Sequence, residues 1–176
     1  MARLVLMIGL PGSGKTTLAA AIAQSCSPCP VVSTDAVRAT LYGDEAIQGE
    51  WLRIWAEVER QLQEAPGPTT IYDATNAVRR HRRRAIARFR ALGFRQIFGL
   101  WLDVPLVECL VRNQGRSRQV PEAVIQRMAR CLQNAPPALG DGLDALVRYQ
   151  PLPSAAFTPI PQPNRAGVEI ATPPPQ

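Results

Sequence analysis

The chain has 176 residues, 46% of them hydrophobic, enough for one domain with a full core. No run approaches the roughly 18 uninterrupted apolar residues of a membrane-spanning helix, and the N-terminus shows no signal-peptide pattern, so a membrane span is excluded and a cytoplasmic protein is expected. A net charge of +6 and a pI near 9.8 favour an anionic partner, a nucleic acid or a phosphorylated metabolite, although an arginine-for-lysine bias also arises from genome composition.

Arg3 to Ile8 is a continuous apolar run of the kind that forms a strand buried on both faces. Gly9-Leu10-Pro11-Gly12-Ser13-Gly14-Lys15-Thr16 then fits G-x-x-x-x-G-K-[ST] at every fixed position, and alanine-rich Thr17 to Gln24 reads as a helix. Strand, glycine loop and helix are the context this phosphate-binding motif requires. The glycines let backbone N–H groups turn onto an anion with no Cβ in the way, and the helix presents its positive end to the same phosphates. The expected ligand is a nucleoside triphosphate, ATP with Mg²⁺, bound by Gly9, Pro11, Gly12, Ser13, Gly14, Lys15, Thr16 and Thr17. Lys15 would reach the β- and γ-phosphates, and Thr16 would offer its hydroxyl to the metal. Lys15 is also the only lysine of the chain, every other fixed cation being arginine.

Cys26-Ser27-Pro28-Cys29 has C-x-x-C spacing, but a zinc site needs a second close pair, and Cys109 and Cys131 stand 22 residues apart. All four cysteines are read as free thiols. Pro30 to Ser33 reads as a second strand, and Ser33 or Thr34 caps a short helix through Leu41. Asp35 and Arg38, three apart near the start of that helix, address one point beyond the strand end, where open α/β sheets bind ligands; an ordinary intrahelical ion pair is the alternative. Ile47, Trp51, Ile54, Trp55, Val58 and Leu62 recur at helical spacing, predicting an amphipathic helix from Ala46 to Glu64 that Pro66-Gly67-Pro68 stops. Its tryptophans sit at core spacings, with base stacking as the other reading.

Thr69 to Tyr72 is the expected third strand, and it delivers Asp73-Ala74-Thr75-Asn76 to its carboxyl end. The next helix carries Ala85, Ile86, Phe89 and Leu92 on one face with Gly93 as C-cap. Eight arginines lie between Arg79 and Arg95, read as a solvated face with phosphate binding as the alternative. His81, without a partner nearby in sequence, is read as a surface residue. Gln96 to Leu102 is a fourth strand, Asp103 and Pro105 open a helix to Asn113, and a basic loop Arg112-Asn113-Gln114-Gly115-Arg116-Ser117-Arg118 follows. Val120-Pro121-Glu122 starts another helix, closed by Pro136-Pro137, and Leu143 to Tyr149 supplies a fifth strand. Strands alternating with helices predict an α/β fold with a parallel sheet of roughly five strands and right-handed crossovers, all within residues 1–150. From Pro151 on, eight of the last 26 residues are proline, so residues 151–176 are read as an extended or disordered tail.

Taken together, the P-loop, Asp35-x-x-Arg38, the Asp73 to Asn76 turn, and Asp103-Val104-Pro105 through Arg112-Asn113, Arg116 and Val120-Pro121 resemble the kinase domain of the polynucleotide 5′-hydroxyl kinase family. The likeness runs from about Ala2 to Met128 and more loosely to Tyr149. It implies a three-layer domain of the P-loop NTPase and nucleoside-kinase type with a helical lid, and an ATP-dependent phosphotransferase in which Asp35 is the general base and Arg38 holds an acceptor phosphate. Thr75 and Asn76 lie by the acceptor, Asp73 organises the acceptor or serves as a metal-shell acid, and Arg112 and Arg116 close over the donor phosphates, with Lys15, Asp35 and Arg116 as the catalytic set. Two departures stand out. In the phage enzyme of that family the acidic residue immediately precedes Thr-Asn, whereas Ala74 intervenes here, and the lid loop is one residue shorter.

The expected acceptor is the 5′-hydroxyl of RNA or DNA. The alternatives are the same chemistry on a small molecule or aminoacyl-tRNA, and a non-catalytic ATP-binding switch or interaction module. No residue pattern points to a membrane or to a partner protein.

Overall fold

A computed structural model describes residues 2–26, 28–47 and 49–150; the tail expected from Pro151 lies outside the described residues. The elements are β1 (Arg3–Gly9), α1 (Lys15–Ser25), β2 (Val31–Ser33), α2 (Thr34–Tyr42), α3 (Trp51–Glu64), β3 (Thr69–Asp73), α4 (Arg79–Ala91), β4 (Gln96–Leu102), α5 (Leu106–Gln114), α6 (Glu122–Asn134) and β5 (Ala145–Tyr149). The strands form one sheet in the order β2-β3-β1-β4-β5, and every pairing is parallel. β1 is the centre, with Leu4 opposite both Thr70 and Ile97, so both of its edges are paired, and helices cover both of its faces. Leu4, Leu6, Met7 and Ile8 are accordingly fully buried, which is why β1 reads as an unbroken apolar run rather than an alternating one.

Side-chain alternation along β3 fixes which helices cover which face. The Tyr72 ring lies 6.1 Å from that of Trp55 on α3 and 4.9 Å from that of Phe89 on α4. The next residue, Asp73, faces the other way and meets Thr16 of α1. Helices therefore sit on both faces, giving the three layers. Trp55 is core, whereas Trp51 is half exposed against its edge. All four cysteines are free, and no helix among the described residues is long and apolar enough to cross a membrane.

Three details differ from expectation. α3 starts at Trp51 rather than Ala46, because Gly49 takes φ +57°, a left-handed conformation that ends any helix there. β5 starts at Ala145; Leu143 instead turns into the core. The arginine run is not wholly a solvated face, since Arg82 is fully buried. Its Nε donates to Asp141 Oδ2 at 2.8 Å, and its Nη atoms donate to the carbonyls of Asn76 at 2.9 Å and Ala135 at 3.2 Å. One guanidinium thus ties the turn after β3 to the segment after α6.

Breaking that tie leaves a buried carboxylate with one half-exposed partner, Arg79, so Arg82→Ala is expected to cost about 3–5 kcal/mol in a denaturant titration. Burial alone would push the Asp141 carboxyl up, but the hydrogen bonds from Arg79 and Arg82 outweigh it and hold the group below the usual carboxylate range. A depressed folded value means that this stabilisation is present near neutrality and is lost as acidification passes through it. The variant should therefore lose less stability in acid than the parent.

Candidate active site

The P-loop is shaped by two left-handed glycines, Gly12 at φ +82° and Gly14 at φ +92°. Gly14 is the N-cap of α1 and no side chain caps that end, so the N–H groups of the first turn remain for an anion. At Gly12 the constraint is also steric: a Cβ would stand 2.4 Å from the carbonyl oxygen of Cys109 on α5. The backbone of α5 is packed directly against the loop, and only glycine fits both the conformation and the space. Gly12→Ala is expected to weaken ATP binding by about a hundredfold or more, because either the loop or α5 must move. Calorimetric titration with a nonhydrolysable ATP analogue measures it.

Lys15 is 8% exposed. Its ammonium donates to the Leu10 carbonyl at 2.7 Å and to Ser13 Oγ at 3.5 Å, both neutral acceptors. Burial pushes its pKa down to about 8; Asp73 and Asp35 oppose that shift and Arg116 adds to it. The charges of all three residues are thus felt at Lys15. A buried ammonium short of counter-charge is a receptor for a phosphate oxygen.

Thr16 Oγ1 donates to Asp73 Oδ2 at 2.7 Å, and Asp73 is 4% exposed. A hydroxyl oriented by a buried carboxylate, beside a phosphate cradle, is an all-oxygen donor set, which suits Mg²⁺. Asp73 therefore stands against the P-loop threonine, the position of a metal-shell acid, one of the two roles the resemblance leaves for it. Asn76 takes φ +47°, and its side-chain nitrogen donates to the Met7 carbonyl at 2.7 Å. Together with Gly9 N–H donating to the Thr75 carbonyl at 3.0 Å, it locks the turn after β3 onto β1. The half-buried Thr75 makes no side-chain hydrogen bond among the described residues.

Asp35 opens α2 just beyond β2, with Ser33 as the N-cap accepting its N–H at 3.3 Å. Arg38 Nη1 meets Asp35 Oδ1 at 2.7 Å, and the Asp35 side chain remains 46% exposed while Arg38 is 11% exposed. Arg38 Nε is buried without a partner. From the loop between α5 and α6, Arg118 reaches Asp35 Oδ2 at 3.4 Å and Glu45 at 3.3 Å. Arg118 was missed as a site residue: the match to Arg112 and Arg116 drew the reading to those two, and the signal was the third arginine in so short a loop. Arg116 is exposed. Arg112 is exposed and paired with Glu108 at 3.0 Å on its own helix. The loop is pinned at its base by the buried Asn113, which donates to the Val120 carbonyl at 2.9 Å and accepts its N–H at 3.0 Å. That pair ties Arg112-Asn113 to Val120-Pro121 across the loop.

A family profile described as AAA domain (AAA_33) matches residues 4–135. No curated protein matches the chain. Among solved structures it resembles a component of the Pnkp1/Rnl/Hen1 RNA repair complex, with a TM-score of 0.65 and 22% identity over 76% of this chain and 44% of that one. The chain thus spans less than half the length of that neighbour. It also resembles a gluconokinase from Sinorhizobium meliloti 1021, with a TM-score of 0.55, 17% identity and coverage of 83% and 81%. The APS kinase CysC of Mycobacterium tuberculosis, solved with AMPPNP and APS, gives a TM-score of 0.52, 20% identity and coverage of 84% and 88%. At these identities the likeness is one of fold.

Proposed function

Because the chain belongs to the AAA domain (AAA_33) family and has the fold of P-loop kinases, we propose that it is an ATP-dependent phosphotransferase acting on the 5′-hydroxyl of RNA or DNA. The observation that carries the reading is the half-exposed carboxylate of Asp35, bracketed by Arg38 at 2.7 Å and Arg118 at 3.4 Å. On this reading the carboxylate takes a proton from an attacking alcohol.

In the step proposed, Asp35 accepts the proton of the 5′-hydroxyl as its oxygen bonds to the γ-phosphorus. The bond from that phosphorus to the β–γ bridging oxygen breaks, and ADP leaves with the electron pair. Lys15 and Arg116 offset the charge on the non-bridging oxygens, and Arg118 draws the lid loop toward the base. Thr16, whose hydroxyl Asp73 orients, would hold Mg²⁺, which would supply positive charge against the phosphates.

Arg38 supports an acceptor that already carries phosphate, since its buried, unpartnered Nε marks a guanidinium with donor capacity unused. A nucleoside 3′-phosphate should therefore be phosphorylated with a kcat/KM at least about tenfold above that of the bare nucleoside, one to two charge-assisted hydrogen bonds' worth. Equal rates for the two would remove the phosphate-bearing acceptor from the reading. The sugar-kinase-like neighbour favours a second reading, the same transfer to a small-molecule hydroxyl; a panel of sugars in the same assay decides between them.

A further inference from the structure

The fold sorts the arginines of α4. Arg79 and Arg82 pair with Asp141, Arg88 with Glu59 and Arg90 with Asp144. Arg80, Arg83 and Arg84 are exposed, pair with no carboxylate among the described residues, and line a surface concavity together with Arg79. They stand at i, i+3 and i+4, on the side of the helix opposite the buried Ala85, Ile86 and Phe89. Like charges at this spacing destabilise a helix by a few tenths of a kcal/mol per pair. Elsewhere the fold relieves such charge: Arg60 on α3 has both Glu57 and Glu64. On α4 it does not, and the helix N-terminus, with no side-chain cap, adds positive potential at the same end.

Position completes the argument. α4 starts from the turn after β3, at the same sheet edge as Asp35, which follows β2, the neighbour of β3. A chain whose reacting end lies at Asp35 can leave across that turn and onto this face. The stripe from Arg80 to Arg84 is about 6 Å long at 1.5 Å per residue, a length that meets about two successive phosphates of one strand.

We infer that the Arg80, Arg83 and Arg84 face of α4 binds the phosphodiester backbone of a nucleic-acid strand beyond its reacting 5′ end. The inference deepens the acceptor reading above and rests on it for the direction in which the strand runs. Guanidinium groups grip phosphate in two-pronged fashion and ignore base identity, so binding is independent of sequence and steeply dependent on salt.

The test uses the full chain and a variant carrying Arg80→Gln, Arg83→Gln and Arg84→Gln, with fluorescence anisotropy of a labelled single strand bearing a 5′-hydroxyl. The variant should bind at least about tenfold more weakly, and its slope of log affinity against log salt should be shallower by about 1.4, near 0.7 for each of about two lost phosphate contacts. Its thermal midpoint should not fall, since none of the three side chains has a partner to lose among the described residues. Phosphorylation of a nucleoside 3′-phosphate, too short to reach α4, should be unchanged. Equal strand binding by both proteins, no strand binding by the parent, or an equal loss on the mononucleotide would overturn the inference. Strand binding that depends on the three arginines without any phosphoryl transfer would instead sink the kinase reading and leave this surface standing.

Discussion

Lys15→Met is expected to reduce phosphoryl transfer by about three orders of magnitude, the scale on which a single cation acts at a transferring phosphate. The methionine keeps the methylene packing of the buried stem and deletes only the charge. No second lysine exists in the chain to stand in, and Arg116, the nearest candidate, is exposed on the lid loop. The fold should tolerate the change: burial, which pulls the Lys15 pKa down to about 8, means that the charged form is held at a cost in the folded protein. Loss of transfer with an unchanged or higher thermal midpoint is the expected pair of results. Transfer within tenfold of the parent would show that the ammonium does not face the reacting phosphate.

Asp35→Asn separates chemistry from binding. The amide keeps the shape of the side chain but cannot take a proton, so kcat should fall by about a hundred- to ten-thousandfold, the usual contribution of a positioned base. ATP affinity should change little, because the nucleotide cradle is built from Gly9 to Thr16, Gly14 and the first turn of α1 rather than from α2. A variant that binds ATP normally and turns over normally would leave Asp35 as no more than the helix ion pair it makes with Arg38.

What the sequence revealed and what it hid follow from the range of the interactions involved. The P-loop and the five strands were legible because their signals are local: fixed glycine spacing, and apolar runs whose length matches a strand. The start of α3 was misread because Ile47 continues the apolar period, while the left-handed Gly49 breaks the helix without breaking the pattern. The partners of side chains were the least legible. Nothing near Arg82 in sequence announces Asp141, 59 residues away, and an arginine among arginines looks solvated until a distant carboxylate buries it. The same holds for Asp73 and Thr16, 57 residues apart. Their contact, like the hydrogen bond from Asn76 to Met7, joins residues that no local pattern pairs. Arg118 joined the site only once the lid loop was seen to reach α2.

The measurement that bears most directly on the account is a single-turnover reaction of the parent protein with γ-labelled ATP, Mg²⁺ and a 5′-hydroxyl strand, following where the label goes. Label appearing in a 5′-phosphomonoester, at a rate that falls with Asp35→Asn, is the predicted result. Label that stays in bound ATP, or is released only as inorganic phosphate whatever hydroxyl acceptor is supplied, would contradict it.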